Sequence, residues 1–178
     1  ISAKGRIYLG TPGNLVGGTG PGEGNVISGW AMDIFASGNT VQGNTFGLNS
    51  SGTATLANNV NGIIIYSHSI PTDNNLIGGT TPAARNIFAT SSTAIDISNS
   101  SGPNVGNRVQ GNYFGTNPAG TTAAGASSIS GTAIRLNGAQ NNLIGGTAPG
   151  AGNVITNFAN GYGIEVLGSN NTIQGNRI

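Results

Sequence analysis

One phrase is written three times in this chain of 178 residues, and that repetition restricts the fold more than any other feature. Asn14 to Ile27 reads NLVGGTGPGEGNVI, Asn75 to Phe88 reads NLIGGTTPAARNIF, and Asn142 to Ile155 reads NLIGGTAPGAGNVI. Between the copies runs a second phrase: NTVQGNTFG from Asn39, NRVQGNYFG from Asn107, and NTIQGNRI from Asn171. Self-similarity of this kind marks a unit that cannot bury its apolar face alone and stacks on its own copies.

Aligning the two phrases outlines the unit. Each starts Asn-x-(Val/Ile)-x-Gly and continues to a second Asn-x-(Ile/Phe). It ends in a short run such as Gly62-Ile-Ile-Ile-Tyr66, Thr93-Ala-Ile-Asp-Ile97, Thr132-Ala-Ile-Arg-Leu136 or Tyr162-Gly-Ile-Glu-Val166. Apolar residues at period two over such short runs predict three short strands per turn of a coil.

Stacked turns line these residues up in columns. The first strands contribute Val16, Val41, Ile77, Val109, Ile144 and Ile173, and the second Ile27, Phe46, Phe88, Phe114, Ile155 and Ile178. The third contribute the pairs Ile7/Leu9, Met32/Ile34, Ile63/Ile65, Ile95/Ile97, Ile134/Leu136 and Ile164/Val166. Each such side chain, fully buried, stabilises by roughly 1.5 to 3 kcal/mol.

A helical reading fails on composition. With 32 Gly and 7 Pro, no window keeps an i, i+3, i+4 apolar pattern free of breakers. Parallel strands paired at about 4.8 Å need only short segments and sharp corners, which Gly and Asn supply. The expected fold is all-β: a right-handed parallel β-helix, three short strands per turn and about six turns, forming a single domain over residues 1–178. The alternation of short and long turns adds a loop to each long one, Leu48-Asn-Ser-Ser-Gly-Thr53 and its copy Thr116-Asn-Pro-Ala-Gly-Thr121.

The strand starts carry two more columns: Asn14, Asn39, Asn75, Asn107, Asn142, Asn171, and Asn25, Asn44, Asn86, Asn112, Asn153, Asn176. A primary amide is donor and acceptor at once, so a column of them can bond up and down the stack and also serve corner backbone groups. Both columns are expected to be structural Asn ladders.

The phrases NLIGGTAPGAGNVI and NRVQGNYFGTNPAGT resemble the repeats of bacterial secreted right-handed parallel β-helix proteins, a group of large surface or extracellular polypeptides. The resemblance spans almost the whole chain and implies a secreted or cell-surface location. It bears on fold more than on function, because right-handed β-helices also carry pectin lyases, polygalacturonases, tailspikes and adhesins.

Catalysis on polysaccharides requires gathered carboxylates, as an acid pair or as Ca²⁺ ligands beside a base. The acids here are Glu23, Asp33, Asp73, Asp96 and Glu165. Only three fall in one column, the outward position of the third strand: Tyr8, Asp33, Ile64, Asp96, Arg135, Glu165. This order predicts a surface ion-pair ladder in which Arg135 meets both Asp96 and Glu165. Asp33 and Asp96, two strand spacings apart at roughly 9 to 10 Å, are the nearest thing to a catalytic pair.

Other polar features point to turns. His68, the single His, lies in a loop without a metal-ligand or triad pattern around it. The Gly-Gly-Thr segments lack the Lys and following helix of a phosphate loop. Asn49 and Asn117 offer neutral amides, which suit a turn better than Ca²⁺. The outward first-strand column, Leu15, Thr40, Leu76, Arg108, Leu143, Thr172, is too irregular for ice binding, and Tyr8, Trp30, Tyr66, Tyr113 and Tyr162 are not expected to form a sugar-stacking column.

Charged residues are 6% of the chain and the formal net charge is +1, so no patch recruits nucleic acid. Without Cys there is neither a disulfide nor a thiolate metal site. No run approaches the roughly 20 apolar residues of a membrane span. No metal, cofactor or catalytic residue is expected.

The functional expectation is a non-enzymatic extracellular structural or adhesive solenoid. A polysaccharide-degrading or tailspike-like β-helix, with its active site weak or elsewhere, is the alternative. The assembly ends are Ile1, Ile7 and Leu9 on one side and Ile173 and Ile178 on the other. They are expected to meet head to tail in a fibre, or to continue into further turns of a longer polypeptide. A surface polysaccharide is the other partner such a fold admits.

Overall fold

The computed structural model describes residues 5–29, 32–56, 61–90, 92–100, 102, 104–124, 131–158 and 160–178. Ile1 and Trp30 lie outside the described residues.

The chain enters on strand β1 (Ile7–Leu9) and then coils. The first turn is β2 (Leu15–Gly17), β3 (Val26–Ile27) and β4 (Met32–Ile34). The second is β5 (Thr40–Gln42), β6 (Thr45–Phe46) and β7 (Ile63–Ser67). The third is β8 (Leu76–Gly78), β9 (Ile87–Phe88) and β10 (Ile95–Asn99), with a single 3-10 turn at Pro82–Ala84. The fourth comprises β11 (Arg108–Gln110), β12 (Tyr113–Phe114) and β13 (Ile134–Asn137), and the fifth β14 (Leu143–Gly145), β15 (Val154–Ile155) and β16 (Ile164–Leu167). Strand β17 (Thr172–Gln174) begins a sixth.

Every strand pairs in parallel with its counterpart one turn away. The first sheet runs β2-β5-β8-β11-β14-β17, the second β3-β6-β9-β12-β15, and the third β1-β4-β7-β10-β13-β16. This is the parallel β-helix of three strands per turn. Register follows the apolar columns residue by residue: Val16 faces Val41, Ile77 faces Val109, Phe46 faces Phe88, and Ile95 faces Ile134. Strand identity is therefore preserved from turn to turn, and a slip of one residue would turn every apolar side chain outward.

The axis holds one continuous apolar cluster. Val41, Ile77, Val109 and Ile144 from the first sheet, Phe46, Phe88 and Phe114 from the second, and the third-sheet pairs from Met32/Ile34 to Ile134/Leu136 are all buried. The three Phe rings stack with centroids 4.7 and 4.9 Å apart and planes within 8°. Their spacing is simply that of the strands that carry them.

Glycine in the Asn-Leu-Ile-Gly-Gly phrase answers to crowding as well as conformation. Gly78 has φ +87°, and a Cβ there would stand 2.1 Å from the Gln110 carbonyl oxygen one turn on. Only a residue without a side chain fits.

A second, smaller core was not legible in the columns. The loops of the two long turns fold back, with antiparallel bridges Leu48 to Thr55 and Thr116 to Ala123. Leu48 and Ala124 cover the outer face of the second sheet, burying Ile87 and Ala89 against Tyr113. The outward position of that sheet is thus interior at Ile87 and half-buried at Thr45, Tyr113 and Val154. Among the described residues no helix is long and apolar enough to cross a membrane.

Truncating the middle ring of the Phe stack, Phe88→Ala, should cost about 3 to 5 kcal/mol in urea unfolding. The exposed Tyr162→Ala should change stability by less than about 0.5 kcal/mol. Similar losses at the two positions would contradict the assignment of inner and outer faces.

Candidate functional site

The Asn columns form two continuous ladders. In the first, the main-chain N–H and the Nδ2 of Asn14 both donate to Oδ1 of Asn39, at 2.9 Å each. Asn39 does the same to Asn75, Asn75 to Asn107, Asn107 to Asn142, and Asn142 to Asn171. In the second ladder Asn25 donates to Asn44, Asn44 to Asn86, Asn86 to Asn112, Asn112 to Asn153, and Asn153 to Asn176. The remaining amide hydrogens go to corner carbonyls, as from Asn86 Nδ2 to Val41 O and from Asn112 Nδ2 to Ile77 O.

Each inner rung thereby accepts two hydrogen bonds from the rung before it and donates at least two to the rung after it. The inner rungs are buried, where an unmet amide group would be costly, and the network removes that cost at two of the corners of every turn. The ladders also have a direction: donors point toward the C-terminal end and acceptor oxygens toward the N-terminal end. Their role is structural.

The charged column departs from the expected open ladder. Register places Tyr8, Asp33, Ile64, Asp96, Arg135 and Glu165 in one row. Asp33 is nonetheless buried, and it is ion-paired with Arg6, two residues before Tyr8 on the neighbouring strand. Arg135 reaches Glu165, with Nε 3.0 Å from the carboxylate although not aligned for a hydrogen bond. The expected Asp96–Arg135 contact is not formed. One guanidinium has turned to the longer acidic side chain, and Asp96 keeps a buried Oδ1 without a hydrogen-bond partner.

That isolation shows in its acidity. Burial pushes the Asp96 carboxyl above the usual Asp range, opposed by the positive charge of Arg135 and the Ser98 hydroxyl and reinforced by Glu165. Asp33 and Asp96 do not form an accessible acid pair, since Asp33 faces no solvent. Among the described residues, no three of His, Asp and Glu converge as a metal site would require.

Asn49 and Asn117 are turn residues. Asn49 Oδ1 accepts from the N–H groups of Thr53 and Ala54, and Asn117 repeats this with Thr121 and Thr122. His68 is exposed, with Nδ1 2.9 Å from the Ser100 hydroxyl.

The aromatic residues behave differently from the sequence expectation. Phe35, which follows β4, stands beside Tyr8 at 5.4 Å and beside Tyr66 at 5.9 Å, and Tyr66 stacks on His68 at 6.5 Å. They form a stripe across three turns. Column counting missed it because Tyr8 belongs to the row of Asp33, two positions before the row of Phe35 and Tyr66. The row of Phe35 holds Gly10 on the first strand. A Cβ at Gly10 would lie 2.6 Å from Tyr8 Cε1, so the Tyr8 ring leans over the vacant position. The other tyrosines lie elsewhere: Tyr113 is under the Arg85 guanidinium at 3.8 Å, and Tyr162 precedes β16.

Of the assembly residues, Ile7 and Leu9 are half-buried on the edge strand β1. At the other end Ile173 and Ile178 are 42% and 72% exposed, although their column mates Ile144 and Ile155 are buried.

Removing one rung, Asn86→Ala, leaves the main-chain N–H of Asn44 without an acceptor in the interior, while its Nδ2 keeps Val16 O and Gln42 O, and should cost about 1 to 3 kcal/mol by chemical denaturation. Asn49→Ala, in an exposed loop, should cost about 0.5 to 1.5 kcal/mol. For Asp96, the raised pKa means the folded chain holds the proton more tightly than the unfolded one. The associated stability is full below the ordinary Asp value of about 3.9 and is lost as pH rises through the folded-state value. Asp96→Asn should therefore raise the melting temperature at pH 7 relative to wild type, with the difference vanishing near pH 3.

Compared with known proteins, the chain matches no family model, no curated protein and no solved structure.

Proposed function

We propose that this chain is a non-enzymatic structural or adhesive rod of the cell exterior, built to continue along its own axis. The direction of the Asn ladders carries this reading. A further turn stacked beyond Asn171 and Asn176 would receive the same two donors per rung that every inner turn receives, and would cover Ile173 and Ile178. A turn stacked before Asn14 and Asn25 would donate to their Oδ1 atoms. The two faces are complementary, so the added turn can come from more polypeptide or from a second copy.

Such an interface is heterologous and does not close, which favours filaments over discrete oligomers. Parallel edges with unpaired N–H and C=O groups add the same strands in the same register. A neutral surface, with charged residues at 6% of the chain, does little to oppose the approach. The acids support the non-catalytic reading, because Asp33 is held by Arg6 and Asp96 is two strands away from it.

Sedimentation velocity and electron microscopy of the chain test this. Concentration-dependent growth into rods, with an axial repeat of about 4.8 Å per turn, is the expected result. A monodisperse monomer at millimolar concentration with both ends ordered would overturn it. Placing a charge in the end row, Ile173→Lys, should shift growth to at least about tenfold higher concentration.

A further inference from the structure

Along the aromatic stripe large apolar groups that lie close together stay exposed, whereas Leu15 and Tyr162 are exposed at other places on the coil. Tyr8 is 64% exposed and Ile70 66%, whereas each axial ring is buried. Together with Phe35, Tyr66, His68 and Ser69 they line an open trough of about 190 Å³ on the third-sheet side of the coil.

Three properties of the trough restrict what it can hold. No Lys, Arg, Asp or Glu lines it, so an ionic ligand finds no counter-charge. The backbone groups of β4 and β7, and those of β1 on its β4 side, are taken up in the sheet, so a peptide could add as a strand only at the outer edge of β1, at the end of the coil. What remains is a row of three aromatic rings, one per turn, with Tyr8 tilted 30° against Phe35 and Tyr66 edge to face with it at 71°, fringed by hydroxyl and imidazole groups. Among the described residues Nε2 of His68 has no protein partner, its Nδ1 being engaged with Ser100.

Ring faces carry a negative quadrupole and attract the weakly positive C–H groups of a flat, uncharged molecule whose rim bears hydroxyls. A sugar ring has that form. We propose that the Tyr8–Phe35–Tyr66 stripe, with His68 at its border, is a binding platform for an uncharged oligosaccharide. Successive rings of the chain stack on aromatics of successive turns, while the tyrosine hydroxyls, Ser69 and His68 meet the sugar hydroxyls. The platform rests on the adhesive reading above and identifies what is adhered to. It needs Gly10, because only a bare position lets the Tyr8 ring lie in line with Phe35.

The test uses saturation-transfer NMR on the whole chain with four probes: cellohexaose, chitohexaose, maltohexaose and laminarihexaose. At least one should receive saturation from the aromatic protons through its ring C–H groups. Tyr66→Ala and Tyr8→Ala should each weaken that binding about tenfold, Tyr66→Phe, which keeps the ring and loses the hydroxyl, should weaken it less than Tyr66→Ala, and Tyr162→Ala should leave it within twofold. Gly10→Ala should also weaken it, since only the mobile Tyr8 ring must move, so a loss there with unchanged circular dichroism does not reflect misfolding. If Tyr66→Ala fails to fold, Tyr8→Ala and Gly10→Ala decide the question.

No transfer to any of the four probes would overturn the proposal, as would binding that survives Tyr8→Ala or an equal response to choline. Sedimentation of the same samples separates the two readings. Rods without sugar binding reject only the platform, and sugar binding without rods rejects only axial assembly.

Discussion

Everything in this molecule depends on identical residues standing one strand spacing above one another. Parallel pairing in register places each turn's carbonyls and N–H groups against the next turn's, and it does the same for side chains. An Asn is thus offered an Asn, a Phe a Phe, and an Ile an Ile. For most polar residues burial among copies would be unfavourable. Asn is the exception, because its amide is self-complementary at that distance and can still reach the corner carbonyls. The ladders hold the corners, and the corners keep the short strands aligned over the core.

The same constraint explains why the interior is monotonous and the outside varied. A column inside must keep its shape from turn to turn, or the stack loses contact with the copy above. Outer positions have no such duty, so they change: Leu15, Thr40, Leu76, Arg108, Leu143 and Thr172 share one row. Any chemistry specific to this chain therefore belongs to the outer faces and to the loops that cross them. The long-turn loops close over the second sheet and make Ile87 interior. The third sheet stays open where the aromatic stripe runs.

Charge is drawn into the third sheet at two places, Asp33 and Asp96. Asp33 is enclosed and ion-paired through one oxygen with Arg6, while its other oxygen has no hydrogen-bond partner. Asp96 is half-buried with one oxygen unmatched, and its raised pKa reflects that burial. Opposite charges one strand apart in a sheet need not join, because an Arg between two acids pairs with the one whose side chain reaches it with less desolvation.

The sequence by itself determined the coil, its three strands per turn, the membership of every axial column and both Asn ladders. These follow from periodicity, and periodicity survives in one dimension: Val41 and Ile77 occupy the same place in the phrase and so the same place in the turn. Only the tertiary structure decided what the outer side chains do. Whether Ile87 is covered depends on a loop many residues away, whether Asp33 is buried depends on Arg6, and whether Tyr8 aligns with Phe35 depends on the missing side chain of Gly10. Each of those is set by contacts between residues that occupy different positions in the repeat. A repeat alignment compares only like positions, so it contains no signal for them.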